Sequence, residues 1–312
     1  MPQKEEYHSV VCNTMSASNH SPLSPSTYQH NGASIPLYWW RDRDNFGDSL
    51  APEVVGRISS QHTHWTNKGP KLLAIGSIIQ FANQDDVIWG SGIHHNFLQR
   101  PAPKTKVLAV RGPLTRDYLR SQGVDCPPIY GDPAILMPIL HPGTHDPNGS
   151  TGIVLHFGDK PYYQDINLID VESDWQIVLA RILECSKIVS SSLHGIIIAE
   201  AFGIPTVWLT SRMEKRLKYD DYYESTGRTV NPVASLDDAM TAEPPPVPDL
   251  RQMRDNLLAS FSLNHIDQRI SHIAVPPGTG SGMYQPGLGS VPHTQPKHPR
   301  HYRGIRNPSA LS

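Results

Sequence analysis

Two series of short apolar runs alternate with amphipathic stretches, and the turn-rich segment "HPGTHDPNGSTG" (141–152) separates them. This pattern predicts an α/β protein built as two Rossmann-like halves facing a cleft. The runs are continuously apolar, as strands buried on both faces of a parallel sheet are. Both chain ends are rich in Ser, Pro, Gly, Asn and His and bury too little apolar surface to offset ordering entropy. The expected organisation is a disordered tail over 1–35, one domain over 36–145 and a second over 146–275 with a closing helix. A disordered basic tail is expected over 276–312.

The elements follow in order. "IPLYWW" reads as a strand, and "NFGDSLAPEVVGRIS" as a turn leading into a helix. "KLLAIGSII", "DVIWGSGI" and "KVLAVRG" read as successive buried strands, each meeting Gly or Ser at its end. "GPLTRDYLRSQG" is a helix with Pro113 in its first turn and Gly123 as its stop, and "IYGDPAIL" returns to an extended segment. After the linker, "GIVLHF" is a strand and "SDWQIVLARILECS" a helix with Ser173 as its expected cap. Trp175, Val178, Leu179, Ile182 and Leu183 fall at helical spacing along its apolar face. "KIVSSS" is a strand, "LHGIIIAEAFG" a helix closed by Gly203, "IPTVWL" a further strand, and "RQMRDNLLASFSLNHIDQRISHI" a long C-terminal helix.

The 312 residues suffice for two compact units, and the net charge of −2 leaves no coherent nucleic-acid footprint. Lys297, Arg300, Arg303 and Arg306 make the C-terminal tail basic, so the rest of the chain is more acidic than the total. Such a tail is either a solvated extension or a contact for anionic lipid. Cys12, Cys126 and Cys185 lack metal-ligand spacing and are expected to be reduced, structural thiols. No apolar run reaches the roughly 20 residues that span a bilayer, and no signal-peptide core follows the charged start. The expected location is the cytoplasm, at most at the inner face of the plasma membrane.

In open parallel sheets, ligands collect beyond the carboxyl ends of the strands. Six polar turns take such positions and carry Asn45, Gly47, Asp48, Ser91, Arg111, Asp132, His156 and His194. Any one of them is explained by turn chemistry; together they point to a site. The sharpest is "SSSLHG", where Ser190, Ser191 and Ser192 precede His194 at a helix start whose free amides attract anions. A cap needs one serine, so three serines and a histidine suggest anion binding. Arg111 can fork onto phosphate or carboxylate, or pair with a neighbour such as Asp117. Asp48 either holds a turn or takes a proton from a hydroxyl. "KRLKYDDYYESTGR" reads as a basic, tyrosine-rich loop carrying Lys218, and His62, His64, His94 and His95 read as surface histidines.

The blocks "NFGDSLAP", "VIWGSGI", "AVRGPLTRDYL", "YGDPAILMP", "SSLHGIIIAEAFGIP" and "KYDDYYESTGR", in this order from about Tyr38 to Arg228, resemble the polysaccharide pyruvyl transferase family. The likeness is closest to its bacterial exopolysaccharide branch. The resemblance implies a GT-B-like pair of Rossmann-like domains. It also implies transfer of the pyruvyl unit of phosphoenolpyruvate onto two hydroxyls of one sugar, with phosphate released and no cofactor. It makes His194 the acid and Arg111 an anion ligand, with Asp48 beside them. Asn45, Gly47, Ser91, Asp132, His156, Ser191, Ser192 and Lys218 are the expected substrate-binding residues. Some members carry an arginine where Ser192 stands here, so Lys218 or His156 is the candidate replacement. The implied partners are phosphoenolpyruvate and a sugar acceptor, either free or carried on a lipid-linked oligosaccharide. A nucleotide-sugar glycosyltransferase and a non-catalytic sugar-binding relative remain the alternatives.

Overall fold

The structure is a computed structural model that describes residues 34–94, 105–143, 145–163 and 166–262. Both expected tails, His95, Cys12 and residues 263–273 of the expected C-terminal helix lie outside the described residues; Ser34 and Ile35, expected in the N-terminal tail, instead begin the first strand, and the C-terminal helix ends at Ser260.

β1 (Ser34–Tyr38) leads to α1 (Phe46–Ser59), β2 (His62–Trp65), β3 (Leu72–Leu73), β4 (Val87–Trp89), β5 (Lys106–Ala109), α2 (Pro113–Ser121) and α3 (Met137–Leu140). These five strands form one parallel sheet in the order β2-β1-β3-β4-β5. The chain continues through β6 (Thr151–Val154), α4 (Trp175–Leu183), β7 (Lys187–Ser190), α5 (Leu193–Ala201) and β8 (Thr206–Trp208). It ends in α6 (Leu217–Ser225), α7 (Leu236–Thr241) and α8 (Arg251–Ser260). β6, β7 and β8 form a second parallel sheet in chain order. The α/β class and the parallel sheets are therefore as the apolar runs require. One continuous apolar cluster joins the halves, running from Leu37, Phe46 and Val87 to Val154, Ile188 and Ile197.

Several elements differ from the sequence reading, each for a physical reason. β2 was not expected: it is an edge strand with His62 and His64 exposed, so it carries no apolar signal. "KLLAIGSII" pairs only over Leu72–Leu73, because Gly76 turns the chain at φ +102°. "IYGDPAIL" is not extended beyond Tyr130, which bridges to Val110. Pro133–Leu136 instead forms a 3-10 helix, with Asp132 Oδ1 accepting the Ala134 N–H at 3.0 Å. α4 begins one turn-residue later than expected, with Asp174 and not Ser173 at the cap position. The "KRLKYDDYYESTGR" segment is not a loop but α6, whose Tyr219, Tyr222 and Tyr223 are buried at helical spacing. Cys126 and Cys185 are free and buried, and burial pushes the Cys126 thiol up to about 12.

Candidate active site

The order β2-β1-β3-β4-β5 reverses direction between β1 and β3, and that switch point is where open α/β sheets bind ligands. A cavity of about 260 Å³ opens there. Trp40, Asn45 and Asp48 reach it from the segment after β1, and Gly76 and Ser77 from the turn after β3. Arg111 reaches it from beyond β5, His156 and Phe157 from beyond β6, and Ser192 and His194 from beyond β7. Glu214, just before α6, and Lys218, in its first turn, complete the lining. Carboxyl ends of strands from both sheets therefore converge on one space.

His194 stands in the first turn of α5, directly against the first turn of α1. A Cβ built on Gly47 falls inside the His194 imidazole and 2.7 Å from its Cβ, so only glycine lets the two helices meet. His194 Nε2 lies 3.5 Å from Asp132 Oδ2, and neither atom has a hydrogen-bond partner. Asp48 is buried beside this ring and accepts a 2.5 Å hydrogen bond from Asn45 Nδ2. Burial pushes Asp48 up to about 6, with the nearby His194 and the Asn45 bond pulling the other way.

The cavity also holds a charged cluster. Glu214 accepts from His94 Nε2 at 3.1 Å and pairs with Lys218 Nζ at 3.2 Å; His156 Nε2 lies at 3.5 Å. Burial pushes the Glu214 carboxyl up, but the His94 bond and the Lys218 charge outweigh it and hold it at about 2. Burial and the neighbouring Lys218 press His156 down to about 4, so it is neutral at physiological pH. Burial also lowers Lys218, partly offset by Glu214.

Arg111 is fully buried and does not pair with Asp117. Its Nε donates to Asp221 Oδ2 at 2.9 Å, Nη1 to Ser77 Oγ at 2.6 Å and Nη2 to the Ile93 carbonyl at 2.9 Å. Asp221 also accepts the Thr115 N–H and hydroxyl, which ties α6 to the start of α2. The guanidinium fills the space where Gly92 lacks a side chain.

The three serines divide their work. Ser192 is the cap of α5, accepting the Gly195 N–H at 3.4 Å, and is the one that lines the cavity. Ser190 donates to the Val154 and Ser192 carbonyls, and Ser191 donates to Asp159 while accepting the His156 N–H. The expectation that the serines jointly bind an anion is thus corrected: two of them stitch the turn to β6 and to the segment after it. Ser91 is likewise buried off the cavity, donating to the Ala74 carbonyl at 2.9 Å. Asp132 and Gly47 sit behind His194 and do not line the cavity. His94, read as a surface histidine, is in the wall; its place in the turn after β4 is the same signal that singled out His156 and His194. Glu214, Ser77 and Trp40 were not singled out by sequence. Among the described residues, no group of three or more His, Cys, Asp or Glu is placed to hold a metal.

The fold and the cavity define an α/β protein whose cavity lies at strand ends and is lined by His194, Asp48, Arg111 and Lys218. The polysaccharide pyruvyl transferase family model matches residues 45–212, which takes in every wall of the cavity except Glu214 and Lys218 and the Trp40 edge, and the chain belongs to that family. It is 33% identical over 204 residues to uncharacterized protein L143 of Acanthamoeba polyphaga mimivirus, covering 59% of this chain and 70% of that protein. It is 27% identical over 218 residues to the succinoglycan biosynthesis protein ExoV of Rhizobium meliloti, covering 63% of this chain and 66% of that one. A solved structure of a functionally uncharacterized protein from Klebsiella pneumoniae aligns over 61% of this chain and 87% of its own, at 12% identity and a TM-score of 0.40.

Proposed function

We propose that this chain transfers the pyruvyl group of phosphoenolpyruvate onto two hydroxyls of one sugar residue as a ketal, in exopolysaccharide synthesis. The observation that carries the reading is the cavity itself, which gathers His194, Asp48, Lys218 and Arg111 around one space. Family membership and the likeness to a succinoglycan biosynthesis protein support it.

Phosphoenolpyruvate is an enol phosphate, and protonating its methylene carbon makes C2 electrophilic. His194 delivers that proton as general acid. A sugar hydroxyl adds to C2 and gives up its proton to Asp48, whose raised pKa suits the exchange. Phosphate leaves with the C–O electron pair, and the second hydroxyl closes the ketal as its proton passes to the departing phosphate, while the proton taken by Asp48 restores the acid. The products are the ketal and phosphate, and no oxidant or reductant is consumed. Lys218 balances the donor's negative charge in the role that an arginine at position 192 fills in other members, since His156 is neutral. Trp40 stacks on Phe157 at 5.6 Å and 12°, an apolar rim suited to the C–H face of the acceptor sugar. We read the two sheets as Rossmann-like halves of a GT-B-like fold, 36–145 and 146–275. The acceptor is read as a lipid-linked oligosaccharide met at the inner membrane face. No helix among the described residues is long and apolar enough to cross a membrane.

The test is phosphate release from phosphoenolpyruvate with and without lipid-linked oligosaccharide extract, in the wild-type protein and His194→Ala. Acceptor-dependent release that collapses in the variant is expected. Absence of release with every acceptor, together with binding of a nucleoside diphosphate, would overturn the reading in favour of glycosyl transfer.

A further inference from the structure

Two buried polar atoms without partners face each other behind the cavity. His194 Nε2 and Asp132 Oδ2 are 3.5 Å apart, and both are shut off from solvent. Leaving either unpaired is costly unless they serve each other. Asp132 cannot turn away, because its Oδ1 is held by the Ala134 N–H at 3.0 Å at the start of a 3-10 helix. The imidazole is crowded on its Nδ1–Cγ side, where Gly47 of α1 leaves no room for even a Cβ. We propose that Asp132 is a positioning residue: it accepts from Nε2–H of His194, fixes that tautomer, and leaves Nδ1 as the ring nitrogen that serves the cavity. Asp132 touches no substrate. The inference rests on the reading of His194 as the proton carrier for its functional meaning, while the tautomer itself does not depend on which reaction is catalysed.

The asymmetry of the Asp132 carboxylate supplies the test. In Asp132→Asn, the cap bond keeps the amide oxygen on Ala134, so the amide N–H₂ faces Nε2 and requires it to be an acceptor. The neutral ring is then expected to carry its proton on Nδ1. Imidazole ¹⁵N spectra, with His194 assigned by its disappearance in His194→Gln, read this directly in the unliganded protein. The expected result is Nε2–H in the wild type and Nδ1–H in Asp132→Asn. With phosphoenolpyruvate and acceptor, kcat is expected to fall by roughly 10²- to 10⁴-fold, the range general acid catalysis supplies, with both KM values little changed. An Nδ1–H tautomer in the wild type, or the same tautomer in both proteins, would overturn the proposal. The expected tautomers alongside a wild-type protein that releases no phosphate would uphold it and count against the pyruvyl transfer reading.

Discussion

Gly47→Ala is the most demanding perturbation of the site, because the same helix carries its own control. Alanine at a helical glycine ordinarily stabilises by about 0.5–1 kcal/mol. At Gly56, also in α1, an added Cβ meets the Gln61 carbonyl oxygen at 3.4 Å and nothing closer, so Gly56→Ala is expected to show that gain. At Gly47 the added Cβ lands inside the His194 ring, and rotating the ring leaves His194 Cβ only 2.7 Å away. A methyl–methylene contact needs roughly 3.5–4.0 Å, so α1 and α5 must separate by about 1 Å. Overpacking of this kind costs about 1–3 kcal/mol. A shift of that size at His194, the proposed proton donor, is also expected to lower turnover by about 100-fold. Denaturant unfolding of both variants and phosphate release from phosphoenolpyruvate measure the two effects. Gly47→Ala as stable and as active as Gly56→Ala would refute the packing of α1 on His194.

Two further outcomes follow from charge. Arg111→Ala strips a buried carboxylate, Asp221, of its cation and is expected to cost about 3–5 kcal/mol in denaturant unfolding, so any activity it loses reports folding first. Pairing Arg111→Met with Asp221→Asn is expected to recover most of that stability. Asp48 is raised from 3.8 to about 6, so its contribution to stability is present below about pH 4 and lost as pH rises through 6, a cost of at most about 3 kcal/mol at pH 7. Asp48→Asn is therefore expected to be stabilised at neutral pH and not in acid, while losing turnover; unfolding curves at the two pH values check the sign.

The strand ends that build the cavity were legible because each is a local event: a short apolar run, then a polar turn. His194, Arg111, Asp48, Asn45, His156, Ser192 and Lys218 all reach the cavity from segments singled out in this way. What escaped depends on partners distant in the chain. Arg111 and Asp221 are 110 positions apart, and nothing near Arg111 hints that its salt bridge comes from α6. Ser190 and Ser191 look like surplus helix caps until β6 brings the Val154 carbonyl, and the segment after it Asp159, within reach. β2 and α6 were missed because an edge strand needs no apolar face and a helix of Lys, Asp and Tyr reads locally as a polar loop. Asp132 was read as a ligand because Gly-Asp-Pro marks a turn; its side chain faces inward, toward His194.

If the cavity around His194 builds a cyclic pyruvyl ketal, as proposed, mass and NMR analysis of a sugar acceptor incubated with phosphoenolpyruvate and the wild-type protein shows it directly. The expected product is an acceptor heavier by pyruvic acid less one water, carrying a methyl singlet and a quaternary ketal carbon, with no such product from His194→Ala. Phosphate released while the acceptor stays unmodified, or the same ketal formed by His194→Ala at the wild-type rate, would contradict it.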